Sequence, residues 1–420
     1  MAGIPRDESL DGTLALLSNG YTFISDRCRR YGSDIFETRL MLRKAVCIMG
    51  EDAARIFYEP DRFTRKGAMP QTTLRLLQDK GSVQQLDGEA HRWRKRMFMS
   101  LMTPDAIRHL ADLTDREWRA RAAEWQAMDR VVLLDEVRGI LCRAVCAWAG
   151  VPLSADEVGR STREFGAMID EAGTVGPRNL WGLMLRGRSE RWIRGIVDAI
   201  RAGDLAVREG SAADIIARHR DPDGNLLDTT VAAVELINVL RPTVAVARFV
   251  MFAALALHDH PGSRRKLQAG DEDHLDLFVQ EVRRFYPFFP IIGGRVRNEF
   301  DWRGHRFAKG DWVLLDLYGT NHDPRIWPEP DTFQPERFRR WDGSAYDFVP
   351  QGAGDHHRGH RCPGEWITIE IMKQAVRLLT TAMHYDVPEQ DLRIDLSQMP
   401  AKPKSGFVIG NVRLVGEVDV

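Results

Sequence analysis

The chain has 420 residues, 44% of them hydrophobic, with a formal net charge of -1 at pH 7. That suffices to bury a large core, as one large domain or two smaller ones, and near-neutrality argues against a nucleic-acid binder, which needs a basic stripe. Its five cysteines (Cys28, Cys47, Cys142, Cys146, Cys362) are few, odd in number and scattered, which excludes a disulfide framework and fits a reducing, cytoplasmic setting.

The N-terminus, Met1-Ala2-Gly3-Ile4-Pro5, lacks the apolar segment of a secretory leader. A short helix is expected over residues 8–18, then a hairpin from Phe36–Leu42 and Ala45–Met49, turning at Arg43-Lys44. A helix over Glu51–Tyr58 leads into a loop holding Arg65-Lys66-Gly67. Residues 83–88 read as a loop, and a helix follows from Glu89 to Met102. On it His91 and Lys95 are four apart and share a face, either to grip an anionic group or as an ordinary solvated basic face.

From Pro104 to Gly210 helix follows helix, with a break at Gly173-Thr174-Val175-Gly176-Pro177; Cys142 and Cys146 sit in this region as core residues. Asp228 to His258 reads as one central helix of about 31 residues, roughly 45 Å long and apolar on nearly all faces. The longest uninterrupted apolar run, Phe249 to Leu257, is too short to span a bilayer. Two residues are out of place in that helix. Pro242 should disrupt it locally, and Arg241 puts a permanent charge among Leu236, Val239, Leu240 and Val244. A buried guanidinium requires an anion. Glu235 and Asn238 are local candidates; otherwise the anion is a ligand carboxylate held bidentately.

An amphipathic helix over Leu275–Phe285 carries Glu281 and Arg284 one turn apart, which taken alone is a minor surface ion pair. Short strands run through Val313–Asp316, then a meander with Pro335-Glu336-Arg337-Phe338. Last comes Gly359-His360-Arg361-Cys362-Pro363-Gly364, ahead of an amphipathic helix whose first turn holds Pro363 and Glu365. Cys362 would lie just before that helix start, where free N–H groups and the dipole depress a thiol pKa. Such a thiolate can be a nucleophile, a zinc ligand or an axial ligand of haem iron, and a lone cysteine is otherwise a buried structural residue.

Glu281-x-x-Arg284, Pro335-Glu336-Arg337-Phe338, and Phe348 ahead of a glycine-rich loop reaching Cys362 occur in that order. Together they resemble the cytochrome P-450 superfamily. The resemblance implies a mainly α fold with a small β part, the triangular haem-thiolate helical domain, as one unit over residues 1–420. Its β-containing part would cover about 30–60 and 290–320, and its helical haem core about 83–285 and 345–385. It implies haem b with Cys362 as axial ligand, and Glu281, Arg284 and Arg337 as a charge cluster behind it. Arg65, His91, Lys95 and His360 would lie at the haem propionates.

Two departures narrow the resemblance. The loop from Phe348 to Cys362 is extended by Gln351–Arg358, and Arg241-Pro242 replaces the acid–alcohol pair that ordinary members use to deliver protons. Both features resemble the bacterial fatty acid peroxygenase branch, which uses hydrogen peroxide as oxidant and requires no redox partner. The branch implies Arg241, Pro242 and Gln84 at the catalytic position, with Arg241 holding a long-chain fatty acid by its carboxylate. It implies Ile169, Ala172 and Phe288 along the alkyl chain. Gln84, rather than His, implies α- and β-hydroxylation more than decarboxylation to an alkene; Gln78 stands where relatives carry Phe. A decarboxylase, or a conventional monooxygenase fed by a redox partner, is the alternative. Expected partners are the fatty acid alone, with no nucleic acid or membrane span, in a cytoplasmic monomer or homodimer.

Overall fold

The structure, a computed structural model, describes residues 3–79 and 81–415. Met1 and Ala2, the start of the stretch read for a leader, lie outside them. The fold is mainly helical with small sheets, as expected. The largest sheet has five strands in the order Ile35–Leu40, Arg43–Met49, Trp312–Asp316, Ile291–Val296, Phe63–Thr64. Arg43–Met49 runs parallel to Trp312–Asp316, so the N-terminal hairpin is joined to a strand pair more than 240 residues later.

That hairpin turns at Met41-Leu42, not at Arg43-Lys44. Both turn residues have positive φ (51° and 60°), the twist a two-residue hairpin favours, although neither is Asn or Gly. The cost is offset from outside the hairpin: the Met41 amide donates to Thr13 Oγ1 (2.6 Å) and the Leu42 amide to Asp11 Oδ2 (2.5 Å). The first helix accordingly covers Thr13–Asn19, later than expected.

Some helices begin where a side chain satisfies their free amides. Ser154 and Glu157 form a capping box for Ala155–Asp170, and Asp228 accepts from the Thr230 amide (2.8 Å). The break at residues 171–176 separates Ala155–Asp170 from Pro177–Ala202, as expected.

The central rod is two helices, Thr229–Ala245 and Ala247–Asp259. Pro242 does not end the first; the interruption falls at Val246. Pro242 removes only one donor, the one owed to the Asn238 carbonyl. One residue on, the Thr243 hydroxyl donates to the Val239 carbonyl (2.9 Å), a bond that bends helices. The Val246 amide then closes on the Thr243 carbonyl only three residues back (3.1 Å). Taken together, Thr229–Asp259 is long and apolar enough to cross a membrane by composition, but its most apolar window is 94% buried inside this fold. It packs against Leu133–Ala149, whose Cys142 and Cys146 are core residues as read, and against Ala155–Asp170 and Pro177–Ala202. Phe252 stacks on Tyr286 at 4.8 Å; truncating such a buried ring costs about 3–5 kcal/mol.

Candidate functional site

The loop before Cys362 is held by backbone and by glycine. The Cys362 amide donates to the Gln351 carbonyl (3.1 Å), and Gln351 Nε2 reaches Thr368 Oγ1 (3.1 Å) and approaches Cys362 Sγ (3.8 Å). Gly352 has φ 96°, and a Cβ there would come within 2.8 Å of the Tyr58 hydroxyl. The extra residues fold on Asp355, whose Oδ1 accepts from the His357 and Arg358 amides (2.7 and 2.9 Å).

The following helix spans Glu365–Arg377, so Pro363 lies outside it. The expected depression of the Cys362 thiol pKa is corrected: burial raises it, outweighing Lys95, the Gly364 amide and Arg283. Glu365 was expected only as a helix-start residue. It joins Arg283 and Arg361 (Nε–Oε2 2.7 Å), and these cations override burial to bring its pKa down to about 2.

Behind this loop, Glu281 and Arg284 are both fully buried, joined by two contacts of 2.8 Å; Arg337 Nε approaches Glu281 at 3.2 Å. The surface reading of this pair is therefore overturned, and the charge cluster is present.

Arg65, His91, Lys95 and His360 converge from three segments, and the solvated-face reading of His91 and Lys95 fails because both are buried. The His91 and His360 rings lie 3.9 Å apart. Lys95 Nζ donates to the Arg361 carbonyl, and Arg65 lies over the Phe57 ring at 4.0 Å with its Nε buried and unpartnered. Burial, together with neighbouring cations, pulls His91 down to about 4 and His360 well below its ordinary value, so both rings are neutral at pH 7. Burial also lowers Lys95 to about 8 and Arg65 to about 10. Neither cation has an ion pair among the described residues. Two buried cations, two neutral imidazoles and an orphaned guanidinium N–H fit the two carboxylates of a haem beside Cys362.

Arg241 is 6% exposed and makes no ion pair among the described residues. Its Nη2 donates to the Leu77 carbonyl (2.5 Å), while Nε is buried without a partner. Burial and Arg186 lower its pKa to about 9, and Cys362 is near enough to pull it back up, so the guanidinium is charged at pH 7. Neither local candidate neutralises it. Glu235 is taken by Arg94 Nη1 (2.7 Å) and the Val83 amide (2.7 Å); Asn238 Nδ2 turns to the Gln78 carbonyl (3.2 Å) and Glu235 (3.3 Å).

That network fixes the turn Val83–Gln85 against the central helix. Gln84 Oε1 is buried there without a partner, and Gln85 Nε2 donates to Gln78 Oε1 (2.9 Å). Ile169 and Ala172 are buried at the end of Ala155–Asp170 and in the turn after it. Phe288 stacks on Phe249 of the central rod at 4.1 Å. A separate open cleft of 760 Å³, lined by Glu117, Arg121 and Glu136 among others, contains none of the expected site residues.

A family model described as Cytochrome P450 matches residues 273–407. Rhazimal synthase of Alstonia scholaris is 29% identical over 208 residues, 43% of this chain and 40% of that protein. The chain thus spans about two fifths of the length of the curated relatives it matches. Solved structures match end to end. Cytochrome P450SP alpha (CYP152B1), one form of it in complex with (R)-ibuprophen, is 51% identical with a TM-score of 0.95, over 97% of this chain and 100% of that one. Cytochrome P450EX alpha (CYP152N1) with myristic acid is 43% identical (TM-score 0.95; 99% and 100%). A variant of cytochrome P450 OleT in complex with arachidonic acid is 36% identical (TM-score 0.96; 100% of both).

Proposed function

The chain belongs to the cytochrome P450 family, in its CYP152 branch, and we propose that it is a fatty acid peroxygenase. In this reading a long-chain fatty acid and hydrogen peroxide give the α- or β-hydroxy acid and water. The family implies a haem iron. Haem held by a cysteine thiolate supplies the oxidation of a C–H bond by peroxide. Because peroxide already carries the two electrons, no redox partner is needed.

The observation that carries the reading is Arg241, a buried cation with an unpartnered Nε and no carboxylate partner among the described residues. Cys362 would hold the haem iron, and Arg65, Lys95, His91 and His360 would hold its two carboxylates. Arg241 then forks onto the substrate carboxylate, two parallel charge-assisted bonds that orient as well as bind. That carboxylate is both the counter-ion of Arg241 and the proton shuttle. It accepts a proton from peroxide and returns it to the oxygen that leaves as water. Held by Arg241, it makes both transfers effectively intramolecular.

Pro242, with no N–H, and Gln84, with its free Oε1, are assigned to the same polar end of the pocket. Ile169, Ala172 and Phe288 are assigned to the alkyl chain, and a short tether from Arg241 directs attack to the α and β carbons. The whole chain acts as one unit, and the cytoplasm remains the proposed location.

The test is incubation of the haem-loaded protein with peroxide and hexadecanoic acid, without reductase, and mass spectrometry of the products. The expected products are the 2- and 3-hydroxy acids, with little alkene. Turnover only with NADPH and a reductase overturns the reading, and a terminal alkene as main product would make the chain a decarboxylase.

A further inference from the structure

The residues assigned to the alkyl chain come from separate segments, and one buried series of hydrogen bonds ties those segments together. Ile169 and Ala172 stand at the end of Ala155–Asp170 and in the turn after it, while Phe288 follows Glu272–Phe285. Asp170 falls between the first two. Its Oδ1 accepts from Arg248 Nη2 on the central rod (2.7 Å) and from Arg138 Nη2 (2.6 Å). Arg248 Nη1 donates to the Ala401 carbonyl (2.6 Å), and the Ala401 amide to the Tyr21 hydroxyl (3.4 Å). That hydroxyl donates in turn to the Phe288 carbonyl (2.7 Å). Tyr21, Arg248 and Ala401 are at most 2% exposed.

The backbone is closed up around the same links. The Tyr21 amide donates to the Leu396 carbonyl (3.0 Å), and a Cβ at Gly20 would collide with that carbonyl. A Cβ at Gly173, next to Ala172, would collide with the Met399 carbonyl. Segment 396–401 is thus wedged between the turn holding Tyr21 and the turn holding Ala172, with no room for a side chain at either contact. Phe288 is held twice, its carbonyl by Tyr21 and its ring by Phe249, the neighbour of Arg248.

Arg248 follows Arg241 by about two helical turns, or roughly 10 Å along the rod. Burial lowers the pKa of both, but Arg248 has Asp170 as its anion and needs none from a ligand. Its bonds go instead to holding the segments on either side of it.

We propose that Tyr21, Arg248 and Asp170 are positioning residues that fix the spacing between the wall of Ile169 and Ala172 and the wall of Phe288, and so make the site selective for straight, narrow alkyl chains. The selectivity rests on the proposed function; the bonded spacing does not. Interiors are packed to crystal density, so a link lost here is not taken up by slack elsewhere. Tyr21→Phe keeps the ring against Tyr318 but leaves the Phe288 carbonyl and the Ala401 amide buried without this partner, which frees the two walls to part.

The experiment is a competition. Haem-loaded wild type and variants receive peroxide with hexadecanoic acid and ω-phenyldodecanoic acid together, and mass spectrometry quantifies the products of each. Both acids meet the same folded molecules, so a mere loss of folded protein leaves their ratio unchanged. The wild type is expected to favour the straight acid. Tyr21→Phe and Asp170→Asn should each lower that preference at least about threefold, with hexadecanoic acid still attacked at its α and β carbons because Arg241 is untouched. The double variant should fall no further than the larger single one, since both cut the same series of bonds. Thr114→Val removes a different buried hydroxyl bond, to the Leu110 carbonyl (2.9 Å), and should leave the preference as it is. Four results overturn the inference alone: a wild type that does not favour the straight acid, a preference that Tyr21→Phe leaves unmoved, a double variant whose loss is the product of the single ones, or an equal loss in Thr114→Val. A wild type that oxidises neither acid overturns the proposed function, and this inference with it.

Discussion

Two buried arginines, Arg284 and Arg241, show the difference between a charge that builds the fold and one that waits for a ligand. Arg284 meets Glu281 through Nε and Nη2, each at 2.8 Å, and gives its Nη1 to the carbonyls of Asn321 (3.0 Å) and Pro330 (2.9 Å). Arg241 is nearly as buried, yet among the described residues it has one carbonyl and an unpartnered Nε. Burying a charge without a partner costs several kcal/mol, so a fold keeps one only where something else returns that energy. Arg284 draws its anion from the same helix, whereas Arg241 is proposed to draw its own from the molecule it oxidises.

The sharpest break in this contrast is Glu281→Ala. It leaves Arg284 and Arg337 without their shared carboxylate, and should destabilise the fold by about 3–5 kcal/mol in urea unfolding. Arg241→Ala should do the reverse. Stability should hold or rise, because an uncompensated charge is removed, while kcat/KM for peroxide-driven oxidation of a long-chain acid falls at least about 100-fold, near 2.7 kcal/mol.

Asp316 sharpens the contrast from the acidic side. It is fully buried with Oδ2 unpartnered, and burial raises its pKa to about 7 despite the Gly319 amide on Oδ1 (2.6 Å). A carboxyl left alone can take a proton; a guanidinium cannot. Between its ordinary value of 3.8 and about 7 the folded chain holds a proton that the unfolded chain lacks. Stability attributable to Asp316 should therefore fall as pH rises through that window, by about 1.4 kcal/mol per pH unit, and level off above it. In urea titrations at several pH values, Asp316→Asn should abolish that slope. The smallest effect belongs to an exposed pair, Arg119 with Asp115 (2.8 Å): Arg119→Ala should move the unfolding midpoint by no more than about 0.5 kcal/mol.

What could be read from the sequence was what the chain encodes over short spans. Glu281 and Arg284 are one turn apart, Cys362 sits in its own glycine-rich loop, and Arg241 stands out because every neighbour is apolar. What could not be read depends on groups that meet only after folding. Glu235 looks like a partner for Arg241, two turns away, but Arg94 arrives from 141 residues earlier and takes it. The hairpin turn moved to Met41-Leu42 because Asp11 and Thr13 hold its amides, a bond no hairpin rule anticipates. The break at Val246 follows from a threonine hydroxyl rather than the more conspicuous proline. The thiol of Cys362 was misjudged for a related reason. Its position at a helix start was read correctly, while the burial that outweighs the local donors is a property of the whole fold.

The most direct test of the central claim is calorimetric: binding of tetradecanoic acid and of its methyl ester to the haem-loaded wild type and to Arg241→Ala. If the ligand carboxylate is the missing counter-ion, the acid binds the wild type at least about tenfold more tightly than the ester, and Arg241→Ala erases the difference. Equal affinities in the wild type, or a preference for the acid that survives in Arg241→Ala, would contradict it.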